Sequence, residues 1–253
     1  MGATMNARFE YLLRLGDDAL ILGQMLGLWT GHGPVLEEDI ALTNIGLDQI
    51  GQARAWLTLA GKAEDAGRDE DKLAFFRDQA DFRNAQLCER PNGHFGDTIV
   101  RQFLFDAYAV PLHAALSSSS DPEIAAIARK SAKESAYHLR HSRAWMLRLG
   151  DGTEESHDKV QQSLNDLLPF AGDLFYADAV TAQATAEGWG ADPTALRAPW
   201  TTELDSTLAA AGLERPPAVP EQTGGREGRH TEQLSFLLAE MQVLPRTYPD
   251  AQW

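Results

Sequence analysis

Residues 133–142 read KESAYHLRHS and place a carboxylate, a phenol and two imidazoles within ten positions. On a helix, a di-iron carboxylate site uses glutamate followed three residues later by histidine, so that both side chains reach one metal pair. Here the residue three after Glu134 is Tyr137, and the histidine, His138, comes at the fourth. Other polar residues interrupt core-type spacing elsewhere. Gln24 lies among Ile21, Leu22, Met25 and Leu28; Asn44, Asp48 and Gln52 recur every four residues beside Ile45; Asp106 stands alone in FLFDAYAV. One polar group from each of four helices is the disposition that holds two irons, with hard oxygen donors and imidazoles leaving positions for dioxygen.

The donor set falls short of that chemistry. Gly51 stands three after Asp48, where a histidine is required, Tyr137 stands in the same place after Glu134, and the first helix supplies an amide, Gln24. Three arrangements remain compatible with the spacing. One is a working di-iron enzyme with atypical ligands Asp48, Asp106, Glu134 and His138. Another is a metal-free remnant, whose buried carboxylates must be met by hydrogen bonds or a basic side chain, or be neutralised through a raised pKa. In the third the residues have local roles only, Glu134 pairing with His138 and Asp48 with Gln52 or Asn44 along their own helices.

The elements that must position these groups are helical. Apolar residues recur at three- and four-residue steps from Phe9 to Trp29, and GHGP at 31–34 breaks the run. Further helices are expected over 36–60, 70–89, 96–117, 122–149, 154–186, about 193–211 and 231–244. Asp121-Pro122 and Asp192-Pro193 read as N-caps followed by proline in the first turn, and Pro169 breaks or kinks the 154–186 stretch. The segment 214–230, rich in proline and glycine, is expected to run extended over the surface. No alternating strand pattern and no phosphate-binding glycine motif is present. The fold class is therefore all-α, a bundle of long helices. We expect one domain over 1–253, with the core bundle at about 6–150 and extra helices plus an extended loop at about 154–253.

Composition narrows the function. The net charge of −15 argues against nucleic-acid binding, which needs a basic face. The longest apolar runs, such as ALIL at 19–22, are far too short to span a bilayer. A single cysteine, Cys88, rules out an internal disulfide and fits a reducing cytoplasm; it is expected to be buried filler. His32 in GHGP and His94 in NGHF are expected in turns or caps, SSSS at 117–120 ends a helix without a nucleophile elbow, and Phe103, Phe105 and Tyr108 are expected in the core.

Four blocks carry a resemblance: LRLGDDALILGQMLGLWTGHGPVLEEDIALTNIGLDQIGQAR at 13–54, RPNGHFGDTIVRQFLFDAY at 90–108, KESAYHLRHSRAWMLRLGDGT at 133–153 and GGREGRHTEQLSFLLAEMQ at 224–242. In order along nearly the whole chain, and with the closing Trp253, they resemble the C subunits of bacterial phenylacetyl-CoA monooxygenase (ring-1,2-epoxidase) complexes. The resemblance implies a ferritin-like fold and a catalytically silent subunit in aerobic phenylacetate catabolism. It implies that the di-iron centre and the binding of the CoA thioester belong to the similar A subunit, and that the A–C pairs are bridged by a small B subunit. Electrons from NADPH would come through a reductase subunit with flavin and iron-sulfur. The resemblance implies no cofactor in this chain and transfers no catalytic residue; Gln24, Asp48, Gly51, Asp106, Glu134, Tyr137 and His138 become positions of a vestigial site. The 214–230 segment and the tail to Trp253 are expected to wrap a partner.

Overall fold

The computed structural model describes residues 6–218, 220–249 and 251. The protein is all-α and ferritin-like: among the described residues, nine α-helices are joined by loops and short 3-10 turns, without strands. Where the sequence reading separates 6–150 from 154–253, the chain divides along another line. Of the described residues, 6–89, 224–249 and 251 form one compact unit, and 90–218 and 220–223 form a second.

The first unit is built on α1 (Ala7–Gly27) and α2 (Leu36–Glu64). Asn6 caps α1 by accepting the Phe9 N–H at 3.1 Å. The two helices run back along each other, and glycines let their backbones touch: a Cβ at Gly23 would lie 3.1 Å from the Gly46 carbonyl oxygen. Leu12, Ile21, Leu22, Leu26, Leu42, Ile45 and Trp56 are fully buried, each aliphatic side chain contributing roughly 1.5–3 kcal/mol. α2 ends at Asp65, which takes a left-handed φ of 57°.

The helix expected over 70–89 stops early. Helix α3 covers only Glu70–Phe75, and the chain continues through 3-10 turns at Gln79–Asp81 and Gln86–Glu89. The cause is two buried acids on α1. The Arg83 N–H donates to Asp17 Oδ2 at 2.8 Å and the Ala85 N–H to Asp18 Oδ1 at 2.7 Å. An α-helix would have consumed those donors internally and left the carboxylates without them.

A second correction concerns 214–230. Residues 220–223 are exposed, but Gly224, Gly225 and Arg226 are buried and turn once as a 3-10 helix at Gly225–Glu227. The following helix, α9 (Glu232–Thr247), packs against α3. The wrapping role expected of Trp253 falls outside the described residues.

In the second unit, α4 (Phe95–Leu116) and α5 (Pro122–Gly150) form the central pair, flanked by α6 (Glu154–Leu167) and α8 (Pro193–Ala211). The stretch expected as one helix over 154–186 is three pieces. α6 gives way to a 3-10 segment, Leu168–Phe175, where Pro169 removes a donor, and α7 (Ala179–Ala186) follows under an Asp178 cap. Phe103, Phe105 and Tyr108 lie in the core as expected. Tyr108, Phe175 and Trp200 stack edge to face, with centroids 5.6 and 5.1 Å apart, and Trp200 Nε1 donates to the Leu104 carbonyl at 3.0 Å. His94 caps α4: its Nδ1 accepts the Asp97 N–H at 3.1 Å while Asp97 Oδ2 accepts the His94 N–H at 2.9 Å. His32 lies in the expected turn, Nδ1 3.2 Å from the Thr30 carbonyl.

Candidate functional site

The polar interior of the second unit is set by one stripe on α5. Ser131, Ser135, His138 and Ser142 recur at steps of four, three and four residues and are all buried. That spacing keeps them on one helix face. Opposite them α4 presents Gln102, Asp106 and His113, likewise buried. Gln102 Nε2 donates to Asp106 Oδ1 at 2.7 Å, and Ser142 Oγ lies 2.8 Å from Oδ2. The same hydroxyl is 3.1 Å from the His138 carbonyl oxygen. Two turns further along, His113 Nδ1 is 2.9 Å from Ser135 Oγ.

The electrostatics follow from burial. Asp106 has no cation partner in this pair of helices' hydrogen bonds, and desolvation pushes its pKa up to about 8, against the opposing pull of the bonds from Ser142 and Gln102. At neutral pH the carboxyl is therefore mainly protonated. The Ser142 hydroxyl suits that state, since it can turn its hydrogen to the His138 carbonyl and accept the acid's. Burial drives His113 the other way, down to about 4, with His138 as the second cause. It is a neutral imidazole across the physiological range.

Of the positions singled out on α5, only His138 shares this face with Asp106. Tyr137 is 45% exposed, its ring within cation–π range of Arg140. Glu134 is partly buried and lies 3.5 Å from Lys130, the basic partner one turn before it. In the first unit, Gln24 and Asp48 are half-buried, Gln52 is buried and Gly51 is exposed. A Cβ at Gly51 would meet nothing within 4 Å. Among the described residues, no three His, Cys, Asp or Glu side chains gather in a way that could hold a metal ion.

The sequence reading missed Gln102, His113, Ser135 and Ser142. The signal was present: Gln102 precedes Asp106 by one turn, and the serines share the period of His138. It also missed a second buried polar system in the first unit. Arg226 reaches Asp18 with two bonds, 2.9 Å to Oδ1 and 2.7 Å to Oδ2, and donates to the Arg83 carbonyl at 2.8 Å. Burial raises the Asp18 pKa, and Arg226 is the chief counterweight. Asp17 pairs with Arg77, which also lies 4.2 Å over the Phe82 ring. Glu89 receives Asn84 at 2.9 Å, the Thr231 N–H at 2.6 Å and His230 Nδ1 at 2.8 Å. Two adjacent acids within an apolar helix, LGDDAL, and two arginines in GGREGRH were the available clues. Cys88 is buried beside this network, its Sγ 3.8 Å from Asp18.

Among the described residues, no helix is long and apolar enough to cross a membrane. Residues 2–253 match the family described as "Phenylacetic acid catabolic protein". The chain is 49% identical over 249 residues, 98% of its length and the whole of the relative, to the C subunit of 1,2-phenylacetyl-CoA epoxidase from Escherichia coli (strain K12). An all-α chain with this polar interior, matched from end to end, belongs to the phenylacetic acid catabolic protein family.

Proposed function

We propose that the chain is a non-catalytic subunit of a hetero-oligomeric phenylacetyl-CoA ring epoxidase in phenylacetate catabolism, pairing with and supporting a di-iron catalytic A-type subunit. A bridging B-type subunit and an NADPH-linked reductase, with flavin and iron-sulfur, complete the assembly in this reading. The full-length identity to the C subunit of such an epoxidase supports it. The observation that carries the silent role is the donor set: Gly51 stands three after Asp48 and Tyr137 three after Glu134, so both histidines of a di-iron site are missing, and Asp106 is engaged by Gln102 and Ser142. The remaining positions support the same reading. Gly51 has no donor, Tyr137 is largely exposed, Glu134 is paired with Lys130 and Gln24 offers only an amide. These residues do not fit a di-iron centre.

The test is iron stoichiometry after anaerobic ferrous loading, for the chain alone and co-purified with an A-type subunit. Near-zero iron alone, with iron and epoxidase activity only in the co-purified complex, is the expected result. About two irons per isolated chain would overturn it and favour an oxygenase using Asp48, Asp106, Glu134 and His138. Failure to co-purify with an A-type subunit would overturn the pairing.

A further inference from the structure

The second unit contains a pocket that the α4–α5 polar interior does not use. The loop after α8 folds back over the 3-10 segment Leu168–Phe175, and with α8 these walls bound about 330 Å³. That volume lies within the ~300–1,000 Å³ typical of small-molecule sites. The Gln222 N–H donates to the Pro169 carbonyl at 2.8 Å and seats the loop. Gly172 admits it, since a Cβ there would lie 2.7 Å from the Glu221 Cβ. The inner surface is apolar and flat-faced: Phe175 and Trp200 are buried, and Leu168, Pro169 and Pro216 complete it. The indole N–H of Trp200 is already given to the Leu104 carbonyl, so only its ring faces a ligand. The polar part of the lining is unbalanced. Two guanidinium groups, Arg197 and Arg215, stand against one carboxylate, Glu221, in a chain of net charge −15.

We infer that this pocket binds a small aryl carboxylate, its ring against Phe175, Trp200 and the prolines, its carboxylate on Arg197 in place of Glu221. Glu221 marks the position. Arg197 Nη1 donates to Oε1 at 2.6 Å and Nη2 to Oε2 at 3.1 Å, the forked pairing that a guanidinium makes with a carboxylate. The pair is easily exchanged: its side chains are 43% and 47% exposed, and exposed ion pairs contribute little. Arg197 does not need Glu221 to hold its place, because its guanidinium lies 4.4 Å over the Phe175 ring. Arg215 stays at the rim with Asp205, 2.7 Å away. Other ligand classes fit less well. A cation meets two guanidinium groups, inorganic phosphate gains nothing from apolar walls, and a neutral apolar molecule leaves the Arg197 fork unused. The inference does not rest on the proposed role in an epoxidase.

The experiment is calorimetric titration of the purified full chain with benzoate and 3-phenylpropionate, which carry one ring and one carboxylate at different separations. Benzyl alcohol is the uncharged match. At least one acid should bind saturably at millimolar concentration, with benzyl alcohol about tenfold weaker or more. Arg197→Met should weaken binding of the acid by about tenfold, with circular dichroism confirming the fold. Glu221→Gln changes an exposed loop side chain and should strengthen binding by about threefold, because the ligand no longer displaces an internal carboxylate. An ion pair that only braces the loop predicts no such gain, so this variant decides the question even if Arg197→Met does not fold. Absence of saturable binding by both acids, equal binding of benzyl alcohol, or an affinity unmoved or weakened by Glu221→Gln overturns the inference.

Discussion

Asp106→Asn keeps the shape of the carboxyl and removes its proton equilibrium. In the folded chain that group titrates at about 8, against an ordinary value of 3.8, and burial is the main cause. A group whose pKa is raised on folding gives its full stability below the unfolded value and loses it as pH climbs toward the folded value. From pH 5 to 7.5 the unfolded chain carries the side chain ionised, while the native chain still holds the proton. The native state therefore loses about 1.4 kcal/mol per pH unit, or roughly 3 kcal/mol across this window. The amide does not titrate, and every other group is common to both proteins. The unfolding free energy of Asp106→Asn minus that of the wild type should consequently rise by about 3 kcal/mol between pH 5 and 7.5. Below pH 3.8, where the acid is neutral in both states, the two should agree within about 1 kcal/mol, because an amide oxygen can accept from Gln102 and its NH₂ can donate to Ser142. Urea unfolding followed by circular dichroism at four pH values measures this directly. A difference that stays flat with pH refutes the reasoning: Asp106 would be ionised in the native state, and the α4–α5 interior would be wetter than its burial indicates.

Arg226→Met should destabilise the first unit by about 3–5 kcal/mol, the cost of leaving a buried carboxylate without its cation. Combining it with Asp18→Asn should recover most of that loss, and urea unfolding of the two single variants and the double variant gives the coupling; equal losses in the single and double variants would show that Arg226 acts through its carbonyl contacts instead. His113 should remain a neutral imidazole down to about pH 5, consistent with its lowered value of about 4, as read from its imidazole nitrogen shifts by NMR. Titration of His113 near pH 6.5 would mean that the α4–α5 interior is wetter than its burial indicates.

What the sequence determined by itself was whatever local periodicity and caps dictate. The long helices α1, α2, α4 and α5 were legible to within a few residues, because apolar steps of three and four and the Asp121-Pro122 and Asp192-Pro193 starts act over one or two turns. The residue identities at 51 and 137 were legible too: a glycine and a tyrosine stand there, and neither can become a histidine in any fold. Tertiary structure alone decided which polar residues are used. Glu134, the most conspicuous acid of KESAYHLRHS, lies beside Lys130 at the edge of its face, while the inconspicuous serines turn inward to meet Asp106 and His113. It also decided the fate of 70–89 and 224–230, where helix propensity and surface-loop composition lost to Asp17, Asp18 and Glu89. Those buried acids take N–H donors and guanidinium groups from segments up to 208 residues away in sequence, and no local pattern records that a distant chain will arrive to satisfy them.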